Sequence, residues 1–153
     1  MAISVCEVSI TSAPLDLPGR ENDPGAGAIV DFWGVVRALE GDREITGIEY
    51  EAHPAMAEHQ MRVIAETALE RFGLMRVIIR HRIGFVAAAQ ASIVVRVESV
   101  RRVAAFEANQ WIMDELKRTV PIWKHPVFKD GGVSRKDALE RSRTVLDSSS
   151  ALT

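Results

Sequence analysis

Five stretches of the chain predict β-strands, some by the alternation of apolar and polar residues with a period of two and others by their β-branched and aromatic residues. The stretches are "ISVCEVSI", "AIVDFWGVVR", "ITGIEYEAH", "MRVIIRHRIG" and "ASIVVRVES". In the third, Ile48, Tyr50 and Ala52 share one face, while Glu49 and Glu51 share the other. A segment rich in Pro, Gly, Asp and Asn separates the first two stretches, and this composition predicts a loop.

Two further stretches repeat apolar residues at helical spacing. The first begins at Pro54, which suits the first turn of a helix, and ends at Gly73. Its expected core-facing residues are Ala57, Met61, Ile64, Ala65, Ala68 and Phe72. The second runs from about Arg101 to Thr119, because Pro121 disfavours continuation. Its expected core-facing residues are Ala104, Ala105, Ala108, Ile112 and Leu116.

The order of these elements predicts an α+β fold. From Ile45 onward the order is strand, helix, strand, strand, helix, the split βαβ pattern, with two main helices on one face of a mainly antiparallel sheet. The chain has no internal repeat and no linker composition, so we expect one domain over residues 1–140. Residues 141–153, which include "DSSSALT", are expected to form a disordered tail.

Composition narrows the classes of protein that fit. The chain has 153 residues, 47% of them hydrophobic and 26% charged, as in an ordinary globular domain. Its net charge of -2 provides no general attraction to nucleic acid or anionic membranes. The single cysteine, Cys6, rules out an internal disulfide framework and is expected to be a small core residue of the first strand. Without a run of about 18 apolar residues or a basic N-terminal start, a cytoplasmic protein is expected.

Two lysines, Lys117 and Lys124, stand out because each lies among large apolar residues in the segment "MDELKRTVPIWKHP". One interpretation is that their stems cover apolar surface while the ammonium groups stay in water. The other is an anion pocket, in which Lys124 folds back toward Lys117 and Arg80 or Arg82 joins them, because a guanidinium binds two oxygens at once. The pattern of residues leaves both interpretations open.

Helical geometry groups one of these lysines with other candidate residues. At about 100° per residue, Arg102, Phe106, Met113 and Lys117 lie along one flank of the second helix. From Arg101 to Lys129 there are six Lys or Arg residues against three acids, in a chain whose net charge is negative. A lysine in a partly apolar, cationic pocket has a lowered pKa and can serve as acid, base or nucleophile.

Other kinds of site find less support in the sequence. The four histidines have no metal-ligand spacing, so no metal site is expected, and the histidines are expected to be surface or capping residues. The chain contains neither G-x-S-x-G nor a P-loop. Aromatic residues make up 6%, too few and too scattered for a base-stacking platform. The residues by themselves therefore predict an α+β domain that holds a candidate anion site.

Five segments of the chain resemble the large, catalytic subunit of molybdopterin synthase, in the family's order and spacing from about Gly27 to Lys136. The most specific matches are F-x-G-x-V-R near the start and D-x-L-K-x-x-x-P-I-W-K near the end. The matching segments are "GAIVDFWGVVR", "IEYEAHPAMAE", "RHRIG", "RRVAAFEANQWIMDELKRTVPIWK" and the following "DGG".

The resemblance implies an α/β-hammerhead fold and a sulfurtransferase of molybdenum cofactor biosynthesis. Members of the family convert cyclic pyranopterin monophosphate into molybdopterin by adding its two dithiolene sulfurs. The sulfur arrives as a thiocarboxylate on the C-terminal Gly-Gly tail of a ubiquitin-like small subunit. The large subunits pair as a homodimer with one small subunit at each end, a heterotetramer, and the resemblance implies no metal or cofactor.

The resemblance also assigns expected roles to individual residues. The two catalytic lysines of the family match Lys117 and Lys124. Residues expected to bind the anionic groups of the substrate are Arg37, Arg101, Arg102 and Lys136. Residues expected to line the channel for the partner's tail are Phe32, Gly34, Phe106 and Met113.

Two alternatives to this function stay open, one because of departures from the family pattern and one because of the order of the elements. Arg101 stands where the family usually has histidine, and arginine does not deprotonate in proteins. His125 and Pro126 replace a basic residue followed by Glu. One alternative is therefore a catalytically weak paralogue that only binds the small subunit's tail. The other is an RNA-binding domain, which only the split βαβ order suggests and which the net charge opposes.

Overall fold

The computed structural model describes residues 5–19 and 23–130, and this part of the chain forms an α+β fold, as predicted. Lys136 and the expected tail over residues 141–153 lie outside the described residues. The strands are β1 (Val5–Thr11), β2 (Ala28–Val35), β3 (Leu39–Glu40), β4 (Arg43–Ala52), β5 (Arg76–Arg82), β6 (Gly84–Ala87), β7 (Ala91–Ser99) and β8 (Ile122–Phe128). The helices are α1 (Pro54–Arg71) and α2 (Arg102–Thr119).

The first sheet has the strand order β1-β5-β7-β2 and supports both helices. β1 runs parallel to β5, whereas β7 runs antiparallel to both of its neighbours, β5 and β2. Ala65 of α1 and Ala108 of α2 belong to the same buried cluster as Val77 and Val95 of the sheet. The two helices therefore cover one face of a mainly antiparallel sheet, and that prediction is confirmed.

The second sheet is built around β4, which has β6 on one edge and β8 on the other. Its own core contains Ile45, Ile48, Tyr50, Val86 and Phe128. The split βαβ pattern had implied that β4 belongs to the sheet that carries the helices, and this detail is wrong. The pattern did not reveal β6, which has only four residues, or β8, which contains a proline, so the edges of β4 were left without partners.

The helix boundaries and core-facing residues agree closely with the sequence pattern. His53 is the N-cap of α1 and its side chain accepts a hydrogen bond from the Met56 amide, so the capping role predicted for histidines is confirmed there. Cys6 is half-buried against the core, as expected. The buried residues of α1 are Ala57, Met61, Ile64, Ala65 and Ala68. The buried residues of α2 are Ala105, Ala108, Asn109, Ile112, Met113 and Leu116.

A close approach of β6 to β4 depends on Gly47. A Cβ atom at this position would lie 2.4 Å from the carbonyl oxygen of Val86 and 2.6 Å from the ring of Phe85. The backbone oxygen cannot move aside without displacing β6. We expect Gly47→Ala to lower the free energy of unfolding by about 1–3 kcal/mol, the usual cost of overpacking.

Chemical denaturation of Gly47→Ala and Gly19→Ala would check this expectation. Among the described residues, no atom lies within 4 Å of a Cβ added at Gly19, which serves as the matched control. Equal stability of the two variants would contradict the close packing of β4 against β6.

Candidate active site

Lys124 lies in β8 with its side chain largely withdrawn from water. Its register partner in β4 is Tyr50, so the two side chains project from the same face of the sheet, about 5 Å apart at Cβ. Burial lowers the pKa of Lys124 to about 8, because the charged form loses hydration. A lysine with this pKa is uncharged in about one molecule in ten at pH 7, against a few in ten thousand for an ordinary lysine.

Charged side chains from three other segments surround Lys124. Glu40 of β3 raises the pKa of Lys124, whereas Lys117 of α2 and Arg37, which follows β2, lower it. Burial also lowers the pKa of Lys117, and Asp114 partly opposes that change. The expectation that Lys124 folds back toward Lys117 is therefore confirmed, and Arg37 joins them.

A groove between β2 and α2 ends at Lys117. Its volume is about 280 Å³. The side chains that line it are Val30, Asp31, Phe32, Phe106, Asn109, Gln110, Met113, Asp114 and Lys117. Three of the four residues predicted to form a channel, Phe32, Phe106 and Met113, thus lie in one groove with a predicted catalytic lysine.

Asn109 fixes the helix that carries Lys117. It is buried, and its side-chain amide donates hydrogen bonds of 3.1 Å each to the carbonyl oxygens of Val30 and Val95. These bonds tie α2 to β2 and β7 at mid-helix. The sequence analysis missed this residue, although a single amide among the core-facing positions of an amphipathic helix is a signal for such a contact.

Gly34 lies beyond the groove rather than in its wall. A Cβ at this position would approach Ile93 Cγ2 to 2.6 Å and the Phe32 ring to 3.4 Å. The register between β2 and β7 shifts directly after Gly34. A glycine within a strand often marks a bulge or a close approach by another group, and both are present here. The Ile93 side chain fills the space that a side chain at position 34 would need.

Arg101 and Arg102 are not near the lysines of the same chain. Arg101 is the exposed N-cap of α2, and Arg102 is its first residue. Fifteen residues separate Arg102 from Lys117, which corresponds to about 22 Å along a helix. Phe106, one turn after Arg102, is the first residue of α2 that lines the groove, so Arg102 lies near the end of the groove opposite Lys117.

Arg80 and Arg82 do not complete an anion pocket with the lysines. Arg80 donates hydrogen bonds to the backbone and carboxylate oxygens of Asp16, at 2.8 and 3.0 Å. Arg82 donates to Gln90 Oε1 at 3.0 Å. Both arginines lie on the face of the first sheet opposite the helices, where they hold other segments of the chain.

His81 is a buried residue, so its assignment to the surface or to a helix cap is wrong. It is only 9% exposed, and its ring packs edge-on against Tyr50 with 5.3 Å between ring centroids. Its position in the middle of an apolar strand, between Arg80 and Arg82, gave an alternation signal that the sequence analysis did not use. Tyr50 and His81 both lie beside Lys124.

The described part of the chain offers no obvious place for a metal ion. Within residues 5–19 and 23–130, no three His, Cys, Asp or Glu side chains group together as metal ligands would.

Neither helix of the described residues has an apolar stretch long enough to cross a membrane. The expected cytoplasmic location stays a prediction.

The chain is similar to a known family over most of its length. The sequence model described as "MoaE protein" matches residues 10–119. The molybdopterin synthase catalytic subunit of Thermoplasma volcanium is 40% identical over 121 residues, covering 79% of this chain and 88% of that protein. The protein of the same name from Oryza sativa subsp. indica is 37% identical over 129 residues, covering 84% of this chain and 67% of that protein.

Solved structures share the same fold. Molybdopterin synthase from Staphylococcus aureus superposes with a TM-score of 0.70 at 29% identity, covering 82% of this chain and 92% of that one. A complex of subunits 1 and 2 of the molybdopterin-converting factor from Helicobacter pylori contains a chain with a TM-score of 0.63. At 18% identity over 86% of this chain and 90% of that one, the second likeness concerns the fold alone.

The burial of Lys124 predicts a stability cost. The fall of its pKa from 10.5 to about 8 corresponds to at most about 3 kcal/mol at pH 7. We therefore expect Lys124→Met to raise the free energy of unfolding at pH 7 by about 1–3 kcal/mol. Between pH 8 and 10.5 the folded wild type has released this proton while the unfolded chain still binds it, so the difference between the two proteins should narrow as pH rises.

Urea denaturation at pH 7 and pH 10 measures this difference. Lys129→Met is the control, because the Lys129 side chain is 55% exposed and its substitution should change stability by less than about 0.5 kcal/mol. A Lys124→Met variant that is less stable than wild type at pH 7 would contradict the cost assigned to the buried ammonium group.

Proposed function

Because the chain belongs to the MoaE family, we propose that it transfers sulfur from the thiocarboxylated tail of a ubiquitin-like small subunit to cyclic pyranopterin monophosphate. Its curated relatives are named catalytic subunits of molybdopterin synthase, and the chain is accordingly an enzyme of molybdopterin synthesis. What we propose beyond this is the identity of the sulfur donor, of the sulfur acceptor and of the residues that carry out the reaction. The observation that carries it is a groove that ends at Lys117, within electrostatic reach of Lys124, with a lowered pKa at both lysines.

The dimensions of the groove suit an extended peptide. Its length from Phe106 to Lys117 is eleven residues of helix, or about 17 Å. About five residues of extended chain span that distance. Apolar side chains from both walls would hold the tail, and its terminal glycine would lie beside Lys117. The Helicobacter pylori structure is a complex of two subunits of the molybdopterin-converting factor, which is consistent with a protein partner.

The two lysines differ in a way that suggests separate roles. Lys124 has a pKa of about 8 and is therefore the better group to exchange a proton near neutral pH. Lys117, at the end of the groove, is suited to contact the tail's carbonyl oxygen and stabilise negative charge there. Arg37 is a cation within electrostatic reach of Lys124, suited to the phosphate of the substrate.

The proposed chemistry proceeds in two steps for each sulfur. The thiocarboxylate sulfur attacks a side-chain carbon of the pterin that carries the cyclic phosphate. A C–S bond forms, the C–O bond from that carbon to the phosphate breaks, the phosphate oxygen keeps the electron pair, and the tail becomes a thioester. Water then cleaves the thioester, so the sulfur stays on the pterin and the tail leaves with an ordinary carboxylate. A second thiocarboxylated tail attacks the neighbouring side-chain carbon, whose oxygen is protonated and leaves as water, and Lys124 is suited to donate that proton.

The proposed substrate-binding role of Arg101 and Arg102 requires a second protomer. A separation of about 22 Å from Lys117 along α2 is too great for either side chain to bind a small substrate at the lysines of its own chain. We propose a homodimer in which these arginines extend into the partner's site. Lys136 is proposed as a further anion-binding residue on the resemblance alone.

A binding-only paralogue is the second candidate function. Arg101 supports it, because arginine cannot replace a proton-transferring histidine. Two features weigh against it. His125 forms a 3.0 Å contact with Glu51, so this departure is accommodated by the fold. Lys117 and Arg37 also both lie within electrostatic reach of Lys124.

Single-turnover conversion of cyclic pyranopterin monophosphate, with a thiocarboxylated small subunit, tests the proposal. We expect Lys117→Ala to lower the rate at least 100-fold, because charge on the tail's oxyanion loses its stabilising cation. Lys129→Ala should keep the wild-type rate, because Lys129 lies at the surface. Tight binding of the small subunit without any conversion by wild type would instead favour the binding-only paralogue.

Mixing two inactive variants tests the shared site. If Arg102 acts in the partner's site, a dimer of one Lys117→Ala and one Arg102→Ala chain contains one site with both native residues. Random exchange should then restore about a quarter of the wild-type activity, since half the dimers are mixed and each has one intact site. If Arg102 acts within its own chain, no site is intact and mixing restores nothing.

A further inference from the structure

The side chains beneath Lys124 have no part in the chemistry proposed above, yet they are among the most enclosed polar groups of the protein. Tyr50 is 5% exposed and His81 is 9% exposed. They come from different sheets, Tyr50 from β4 and His81 from β5, and their rings meet edge to face at an angle of 72°. Tyr50 also forms a side-chain hydrogen bond with Ser92 of β7.

Both rings are uncharged at any pH at which the enzyme could work. Burial lowers the pKa of His81 to about 4, and its Nδ1 lies 2.8 Å from the carbonyl oxygen of Arg82. A neutral imidazole must donate in that contact, because a carbonyl oxygen can only accept, so Nδ1 carries the proton. Burial raises the pKa of the Tyr50 phenol above its ordinary value.

Lys124 is next to this pair. The antiparallel register places Tyr50 directly opposite Lys124 on the same face of the second sheet. The positive charge of Lys124 contributes to the lowered pKa of His81, which places the imidazole within electrostatic reach of the ammonium group. A phenol and an imidazole therefore occupy space on the inner side of Lys124 that water would otherwise fill.

We propose that Tyr50 and His81 are positioning residues for Lys124: their rings form a floor without charge that excludes water from one side of the ammonium group. Such a floor withholds hydration from the charged form without offering a compensating negative charge. This inference deepens the proposed function, since it explains how Lys124 becomes able to exchange a proton. Its central test does not depend on that function.

The charged neighbours of Lys124 do not by themselves account for its lowered pKa. From β3, Glu40 favours the charged form, so it acts in the opposite direction. Lys117 from α2 and Arg37 from the segment after β2 favour the uncharged form, but each contributes less than burial does. On the inner side the facing groups are Tyr50 and His81, and burial on this side is what they provide.

Competitive labelling of the free protein with trace acetic anhydride, read by mass spectrometry, tests the proposal. The label reacts only with uncharged amines, so the pH dependence of labelling at each lysine gives its titration midpoint. We expect a midpoint near pH 8 for Lys124, against 10.5 for an ordinary lysine. Neither substrate nor small subunit is needed, so a failure of the proposed function leaves this result unaffected.

Three variants distinguish the effect of the two rings on the Lys124 midpoint from the effect of the Tyr50 hydroxyl group. Tyr50→Ala and His81→Ala open the floor to water and should raise the Lys124 midpoint by at least one unit, leaving about tenfold fewer reactive amines at pH 7. Tyr50→Phe keeps the ring and should leave the midpoint within about 0.3 units of wild type. Circular dichroism of each variant establishes that it is folded.

The outcomes that would overturn the proposal are distinct. A wild-type Lys124 midpoint near 10.5, the ordinary lysine value, would overturn it even if no alanine variant folds. So would an unchanged midpoint in a folded alanine variant. A shift as large in Tyr50→Phe as in Tyr50→Ala would show that the hydroxyl group is responsible, and the floor would be rejected. With an active complex, the pH profile of the single-turnover rate should move with the labelling midpoint.

Discussion

The antiparallel pairing of β8 with β4 is the constraint on which the candidate site depends. The chain leaves α2 at Thr119 and enters β8 at Ile122, so Lys117 and Lys124 are joined by a short connection. Pairing with β4 then fixes Lys124 opposite Tyr50 and beneath the end of α2. Without that pairing the second lysine would lie on a solvated segment with an ordinary pKa.

The same arrangement of charged side chains lowers the free energy of unfolding. Three cations converge at Lys124, and one of them is deprived of much of its hydration. The rest of the fold offsets this cost through a dry core between the first sheet and the helices, and through ion pairs on the opposite face. There Arg96 donates two hydrogen bonds to Asp31, at 2.7 and 2.9 Å, and a third to the Pro18 carbonyl oxygen at 2.7 Å. The lysine that costs stability thus lies in the second sheet, whereas the Arg96–Asp31 pair lies on the first.

The second sheet accommodates the departures from the family pattern without disturbing the lysines. Within the described part of the chain, β8 pairs with β4 alone, and an edge strand tolerates a residue without an amide proton. Pro126 can therefore follow His125 while the register on both sides of it is maintained. Lys124 keeps its place two residues before the proline, so this change of sequence leaves the site geometry intact.

The sequence by itself marked Lys117 and Lys124 as candidate site residues, through short motifs. It determined the helices, five of the strands and the α+β class, because local periodicity carries that information. It indicated the flank of α2 that lines the groove for the same reason. Only the tertiary structure decided that β4 belongs to a second sheet, that Ile93 fills the space beside Gly34 and that His81 is buried. It also decided that Arg102 lies far from the lysines of its own chain. Strand pairing and burial depend on residues distant in the sequence, and hydration, which sets the charge of Lys124, is lost only when those residues come together.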